Sequence, residues 1–169
     1  AQSRLWFLDR LDPASAAYNM PFALRLTGAL EAGALERSLS EIYRRHEALR
    51  TRFEEQEGEV VQLIYPPAPL PLARVDLRAE PEPERRGRVE ALCVEAAGTP
   101  FDLTKDVLVR ATLFTVGERE HVLLLVLHHI VSDGWSLGVL NGELTALYSA
   151  YARGESSPLP ELAVQYADF

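Results

Sequence analysis

Leu127-His128-His129-Ile130-Val131-Ser132-Asp133-Gly134-Trp135-Ser136 is the stretch on which the reading of this chain turns. Residues 122–127, ending in Leu127, are apolar at every position. A strand buried on both faces reads this way, so it is expected at the centre of a sheet. Just beyond, Leu137, Leu140, Leu144, Tyr148 and Tyr151 recur at helical spacing through residues 136–151. The quoted segment thus joins the end of a central strand to a helix, a place that presents side chains at the end of a sheet. Successive strand residues point to opposite faces, so His128 and His129 cannot both face one cavity. One packs and the other faces the site. Asp133 follows four residues after His129, and Gly134, lacking a Cβ, is expected to close a tight turn. A carboxylate there can fix the local geometry by hydrogen bonding or by pairing with an arginine. Ser136 and the first helical turn are expected to cap the loop.

Working outward, residues 107–116 and 121–127 read as two strands, joined at Gly117-Glu118-Arg119 by a hairpin loop. Residues 82–97 read as a helix with Val89, Leu92, Cys93 and Ala96 on one face. Residues 72–77 form a short strand, and the four prolines of residues 66–71 mark an irregular connection. Further back, residues 49–53 and 60–65 alternate as strands around Gly58 and suggest a hairpin. Ala32, Leu35, Leu39 and Ile42 give residues 31–46 a helical period. Residues 20–30 read as a strand and residues 2–9 as a short helix. Interleaved helices and strands of this kind predict an α+β fold, helices packed on a mixed, largely antiparallel sheet.

With 169 residues, nearly half of them apolar, the chain suits one globular domain. A net charge of -8 excludes duplex nucleic acid as an expected partner, since phosphate binding needs a basic surface. The single cysteine, Cys93, excludes an internal disulfide and a multi-cysteine metal site. On the apolar face of its helix it reads as a small buried residue rather than a reactive thiol. The apolar run is too short to span a bilayer, and no basic then apolar segment opens the chain as a secretory signal would. No membrane partner and a cytoplasmic location are therefore expected. The chain starts at Ala1-Gln2 rather than Met and reads as cut from something longer. No metal is expected: the two histidines diverge, and no third ligand stands at metal-site spacing.

The pattern His-His-x-x-x-Asp-Gly, here HHIVSDGWS, resembles the signature of condensation domains of nonribosomal peptide synthetases and, more loosely, of chloramphenicol acetyltransferase-like acyltransferases. Ala1-Gln2-Ser3-Arg4-Leu5-Trp6-Phe7-Leu8 resembles the family's first core motif, truncated at its start. Arg45-His46-Glu47-Ala48-Leu49-Arg50-Thr51-Arg52-Phe53 resembles the second. The three stand in the family's order and span nearly the whole chain. Their form is most similar to the subtype that accepts an L-configured donor. The resemblance implies a two-lobed domain with a substrate tunnel between the lobes. Residues 1–155 would be the N-terminal lobe and residues 156–169 a linker leading to the C-terminal lobe.

The implied reaction is peptide-bond formation, an acyl transfer. An acceptor amine attacks a donor thioester, both tethered by phosphopantetheine arms on donor and acceptor peptidyl carrier domains. No cofactor is expected to bind directly, an adenylation domain is an expected neighbour, and a half-domain alone is expected to be inactive. His129, matching the second histidine of the motif, is the catalytic candidate. An α-amine with a pKa near ~8 is already about one-tenth neutral at pH 7, so prior deprotonation contributes only about tenfold. Orienting the amine and accepting its proton as the adduct forms is worth more, typically ~10²–10⁴-fold. His128 is assigned to packing. Asp133 is assigned to structure, with Arg50 or an arginine of the other lobe as partner. Gly134 keeps room for backbone and pantetheine. Arg45, His46 and Arg50 are read as structural. Trp135 is read as a packing residue first; Arg4, Trp6, Trp135 and Ser136 are candidates to line the tunnel. Two other functions remain open: a stand-alone acyl-CoA-dependent acyltransferase, and a docking module for carrier proteins without chemistry.

Overall fold

The computed structural model describes residues 2–165. Ala1 of the first motif and residues 166–169 of the expected linker lie outside that range. The elements are α1 (Gln2–Leu11), β1 (Asn19–Thr27), α2 (Ala32–Arg45), a 3-10 turn (Glu47–Arg50), β2 (Thr51–Gln56), β3 (Glu59–Ile64), β4 (Leu72–Asp76), α3 (Glu82–Ala97), β5 (Val109–Gly117), β6 (Glu120–His128) and α4 (Gly134–Ala152). The α+β class is as expected, with each boundary within a few residues of the sequence reading.

Four strands form one sheet in the order β1-β6-β5-β4, with β1 and β5 antiparallel to β6 and β4 parallel to β5. The apolar strand β6 is therefore interior, as its unbroken hydrophobic run requires. Leu125 and Leu127 face Leu39 and Ile42 of α2 and Leu140 and Leu144 of α4 across a small apolar gap. Alternation sends Leu124, Val126 and His128 to the opposite face, and these are buried too. That second face belongs to α3, which packs on β1, β5 and β6. Helices thus cover both sides, with α2 and α4 packed against each other.

The pair β2 and β3 is a separate two-stranded ribbon. Its two-residue turn places Glu57 at φ 55° and Gly58 at φ 85°. Two positive φ values are what a hairpin turn needs to match the strand twist, and glycine takes one of them without a Cβ clash.

Two details differ from expectation. In α4 the buried residues are Leu140, Leu144, Leu147 and Ala150, while Leu137, Tyr148 and Tyr151 are only half-buried at its margin. The helix packs on α2 and the sheet together, which widens the apolar stripe. Cys93 is half-buried rather than buried, because α3 buries only Val89 fully. Partial burial, with Glu90 nearby, still raises its thiol pKa, so it stays protonated and unreactive. Among the described residues no helix is long and apolar enough to cross a membrane.

Candidate active site

At the end of β6 the two histidines part. His128 is 2% exposed and sits edge-on to Phe101 at 6.1 Å between ring centres. Its Nδ1 accepts a hydrogen bond from the Ile130 amide at 3.1 Å. Burial, with a smaller contribution from His129, lowers its pKa to about 4, so the ring is neutral near pH 7. An acceptor Nδ1 on a neutral ring puts the proton on Nε2. This side chain fastens the turn from inside the fold.

His129 is exposed. Its amide donates to the Tyr18 carbonyl at 2.8 Å, and its Nδ1 lies 2.9 Å from the Ser132 carbonyl oxygen. A carbonyl can only accept, so Nδ1 carries the proton. In the neutral imidazole the lone pair is then on Nε2. The turn itself closes with the Val131 amide donating to the His128 carbonyl at 3.1 Å. From the far end of the chain, the Gln2 side-chain amide donates to the Ile130 carbonyl at 2.9 Å. What results is a fixed ring with one basic nitrogen unengaged by its own turn.

Asp133 is the N-cap of α4. Its Oδ1 accepts from the Ser136 amide at 2.8 Å and from the Ser136 hydroxyl at 2.7 Å. Those bonds hold its pKa below the usual carboxylate value. The capping group is therefore Asp133, with Ser136 as its donor, the reverse of the role expected for Ser136. Arg50 is not its partner: that guanidinium bonds the Arg44 and Tyr65 carbonyls and Glu47. Spacing explains the difference, since an aspartate three residues before a free helical amide finds its donor locally. Gly134 opens α4 without a positive φ, and a Cβ added there would meet no described atom. The turn's backbone does not require it, contrary to the tight-turn expectation; the open space is still compatible with a ligand.

The tunnel candidates divide. Trp6 is 4% exposed and packs on Phe53 at 6.3 Å between ring centres, and it also borders a cavity with Asp9, Arg10 and Phe101. Arg4 is exposed on α1. Trp135 is 80% exposed, so it does not pack within this part of the fold as expected. It borders a cavity of about 210 Å³ together with His46, Leu49, Ser132, Ser136 and Gln165. Among the described residues no group of three or more His, Cys, Asp or Glu is placed to hold a metal.

The second motif holds a cluster that the sequence did not reveal. Glu143 of α4 takes the Arg45 guanidinium at 3.1 Å and the His46 Nε2 at 2.8 Å. Burial pushes its carboxyl pKa up, but the Arg45 and His46 bonds outweigh that and hold it low. The Arg45 side chain is 2% exposed and also donates to the Pro160 carbonyl at 2.7 Å. Glu143 follows Leu140 by three residues and precedes Leu147 by four, so a charge inside the apolar stripe was the available signal. Arg45 and His46, expected to be structural, both bind Glu143 and so tie the end of α2 to α4.

A strand-to-helix crossing that carries a fixed histidine between two layers of helix is what these observations define. The family model described as Condensation domain matches residues 1–169, and the chain belongs to that family. It is 53% identical over its whole length to chondramide synthase cmdD of Chondromyces crocatus, of which it spans 4%. In fold it is similar to the X-domain from teicoplanin biosynthesis, with a TM-score of 0.87 and 36% identity over 99% of this chain and 35% of that one. It is also similar to the first condensation domain of the calcium-dependent antibiotic synthetase in complex with a substrate analogue. There the TM-score is 0.85 and the identity 31%, over 94% of this chain and 38% of that one.

Proposed function

We propose that this chain is the histidine-bearing lobe of a condensation domain that forms peptide bonds in nonribosomal peptide synthesis. A donor acyl group enters as a thioester on one carrier domain, and an amine enters on another. The amine nitrogen attacks the thioester carbonyl carbon; the C–N bond forms, the C–S bond breaks, and the sulfur leaves as a thiol. The amine proton passes first to His129 Nε2 and then to the departing sulfur. The observation that carries this reading is the Nδ1 bond from His129 to the Ser132 carbonyl, which leaves Nε2 as the acceptor. Orientation of the amine by that nitrogen is its main contribution, with proton acceptance as the adduct forms. His128 supports the turn from the core. Carrier domains, the second lobe and an adenylation domain would be its working neighbours. Substrates would arrive on phosphopantetheine arms, in the cytoplasm.

The test is intact-mass detection of product on the acceptor carrier, using the complete domain with both carriers loaded. Amide product from the carrier-bound thioester, and little from the same acyl group on coenzyme A, is the expected result. Product from the acyl-CoA alone would establish the stand-alone acyltransferase instead. A second reading rests on one comparison: the teicoplanin X-domain, of the same fold, occurs in a complex with OxyB. Under it, the fold serves as a docking platform, and a folded wild type would make no product from either donor.

A further inference from the structure

We propose that Gln2 is a positioning residue for His129, an inference that rests on the role given to His129 above. Three successive amides of the turn after β6 find acceptors in the backbone or in the turn's own side chains. The His129 amide is bound to Tyr18, the Val131 amide to the His128 carbonyl, and the Ile130 amide to His128 Nδ1. The Ile130 carbonyl instead takes its donor from the Gln2 side-chain amide, 128 residues away in the chain. Ile130 is 2% exposed. A carbonyl in such surroundings that loses its donor is left unsatisfied, and the peptide carrying it rotates to find another. That peptide lies one residue after His129 and two before the Ser132 carbonyl that fixes the His129 ring.

The anchor is itself rigid. Gln2 opens the first turn of α1, and one turn later Trp6 of the same helix is inserted into the core against Phe53. The helix therefore offers the amide from a fixed place, and the turn is set relative to the core rather than to the mobile end of a loop. Removing the donor frees the Ile130 peptide, loosens the Nδ1–H to Ser132 bond, and lets the imidazole take up the other tautomer. In that tautomer Nε2 bears a proton and can no longer accept one.

The experiment uses the complete domain with loaded carriers and two substitutions of similar length, Gln2→Met and Gln2→Glu. Neither can donate at pH 7. Both are expected to lower kcat by about tenfold, the effect of roughly one buried hydrogen bond, with KM changed by less than about twofold. In protein labelled with ¹⁵N-histidine, the His129 ring of wild type is expected to show Nδ1 protonated and Nε2 bare. Both variants are expected to show a mixture. The Gln2→Glu rate relative to wild type is expected to rise as pH falls toward 5, as its carboxyl regains an O–H donor; Gln2→Met should show no such recovery. An unchanged His129 tautomer with only a lowered melting temperature would overturn the proposal and leave Gln2 a plain structural contact. Should wild type make no amide, the reading of His129 as catalytic fails, while the ring signal still decides whether Gln2 sets its tautomer.

Discussion

Two histidine clusters lie close together in this fold and are built in opposite ways. After β6, His129 is exposed and its ring is held through Nδ1, to a backbone carbonyl, while the nearby Asp133 spends its carboxylate on a helix cap. At the junction of α2 and α4, His46 gives its Nε2 to Glu143, and the same carboxylate also holds the buried Arg45. Each cluster contains a histidine and an acid, four residues apart in the first and 97 apart in the second. Only the first leaves the histidine nitrogen Nε2 available. In the second, every strong group is turned inward to join two helices. Chemistry and stability are thus expected to separate cleanly between them.

The largest expected effect follows from that contrast. His129→Ala in the complete domain should lower turnover by ~10²–10⁴-fold, the usual reach of a positioned acid or base, while the melting temperature stays near wild type. Product formation at the wild-type rate would remove His129 from the chemistry. The converse variant is Glu143→Ala. It leaves the buried Arg45 guanidinium bonded to the Pro160 carbonyl without its carboxylate and should cost about 3 kcal/mol, at the low end for a broken buried pair. The denaturant midpoint at constant slope reads this, with turnover per folded molecule little changed. A loss below about 1 kcal/mol would mean that water reaches the cluster and screens it.

A smaller effect distinguishes the two adjacent histidines themselves. Unfolded, His128 takes a proton near its ordinary value of ~6.5; folded, burial holds it to about 4. Between those values the unfolded chain binds more protons, so stability falls as pH drops through that window. The contribution is about 3 kcal/mol at most, complete above pH 6.5 and gone below pH 4. His128→Asn keeps an acceptor for the Ile130 amide but does not titrate. The acid loss in urea melts should therefore be shallower in this variant than in wild type. Parallel pH profiles for the two would mean that His128 opens to water before the fold does.

The divergence of His128 and His129 was legible because strand parity needs only the local sequence. So was the central position of β6, from a hydrophobic run with no polar gap. What escaped were bonds whose partners are far apart along the chain. Nothing near Arg45 or His46 points to Glu143, almost a hundred residues on, and nothing near Ile130 points to Gln2. Trp6 shows the same limit from the other side. A motif suggested a lining residue, and its contact with Phe53 in the core, almost fifty residues on, was not visible in the sequence.

Asp133 carries the smallest expected effect, and it is the one that best separates two physical accounts. Pairing with a buried arginine, as the sequence suggested, would make Asp133→Ala cost several kcal/mol, because a buried charge would lose its partner. Capping, as found, costs about 1 kcal/mol, the value of a side chain that satisfies one end of a helix. Asp133→Ser should then recover most of the loss, since a hydroxyl can accept from the Ser136 amide but cannot pair with an arginine. The sign with pH follows the same logic. The folded carboxyl titrates below its ordinary value, so its contribution is present above pH ~4 and is lost as pH falls through the folded value. Equal melting midpoints for wild type and Asp133→Ser, measured at pH 7, would place the residue at the start of α4 as a cap. A deficit in Asp133→Ser as large as that in Asp133→Ala would mean that its charge is answered by a cation of another part of the complete domain.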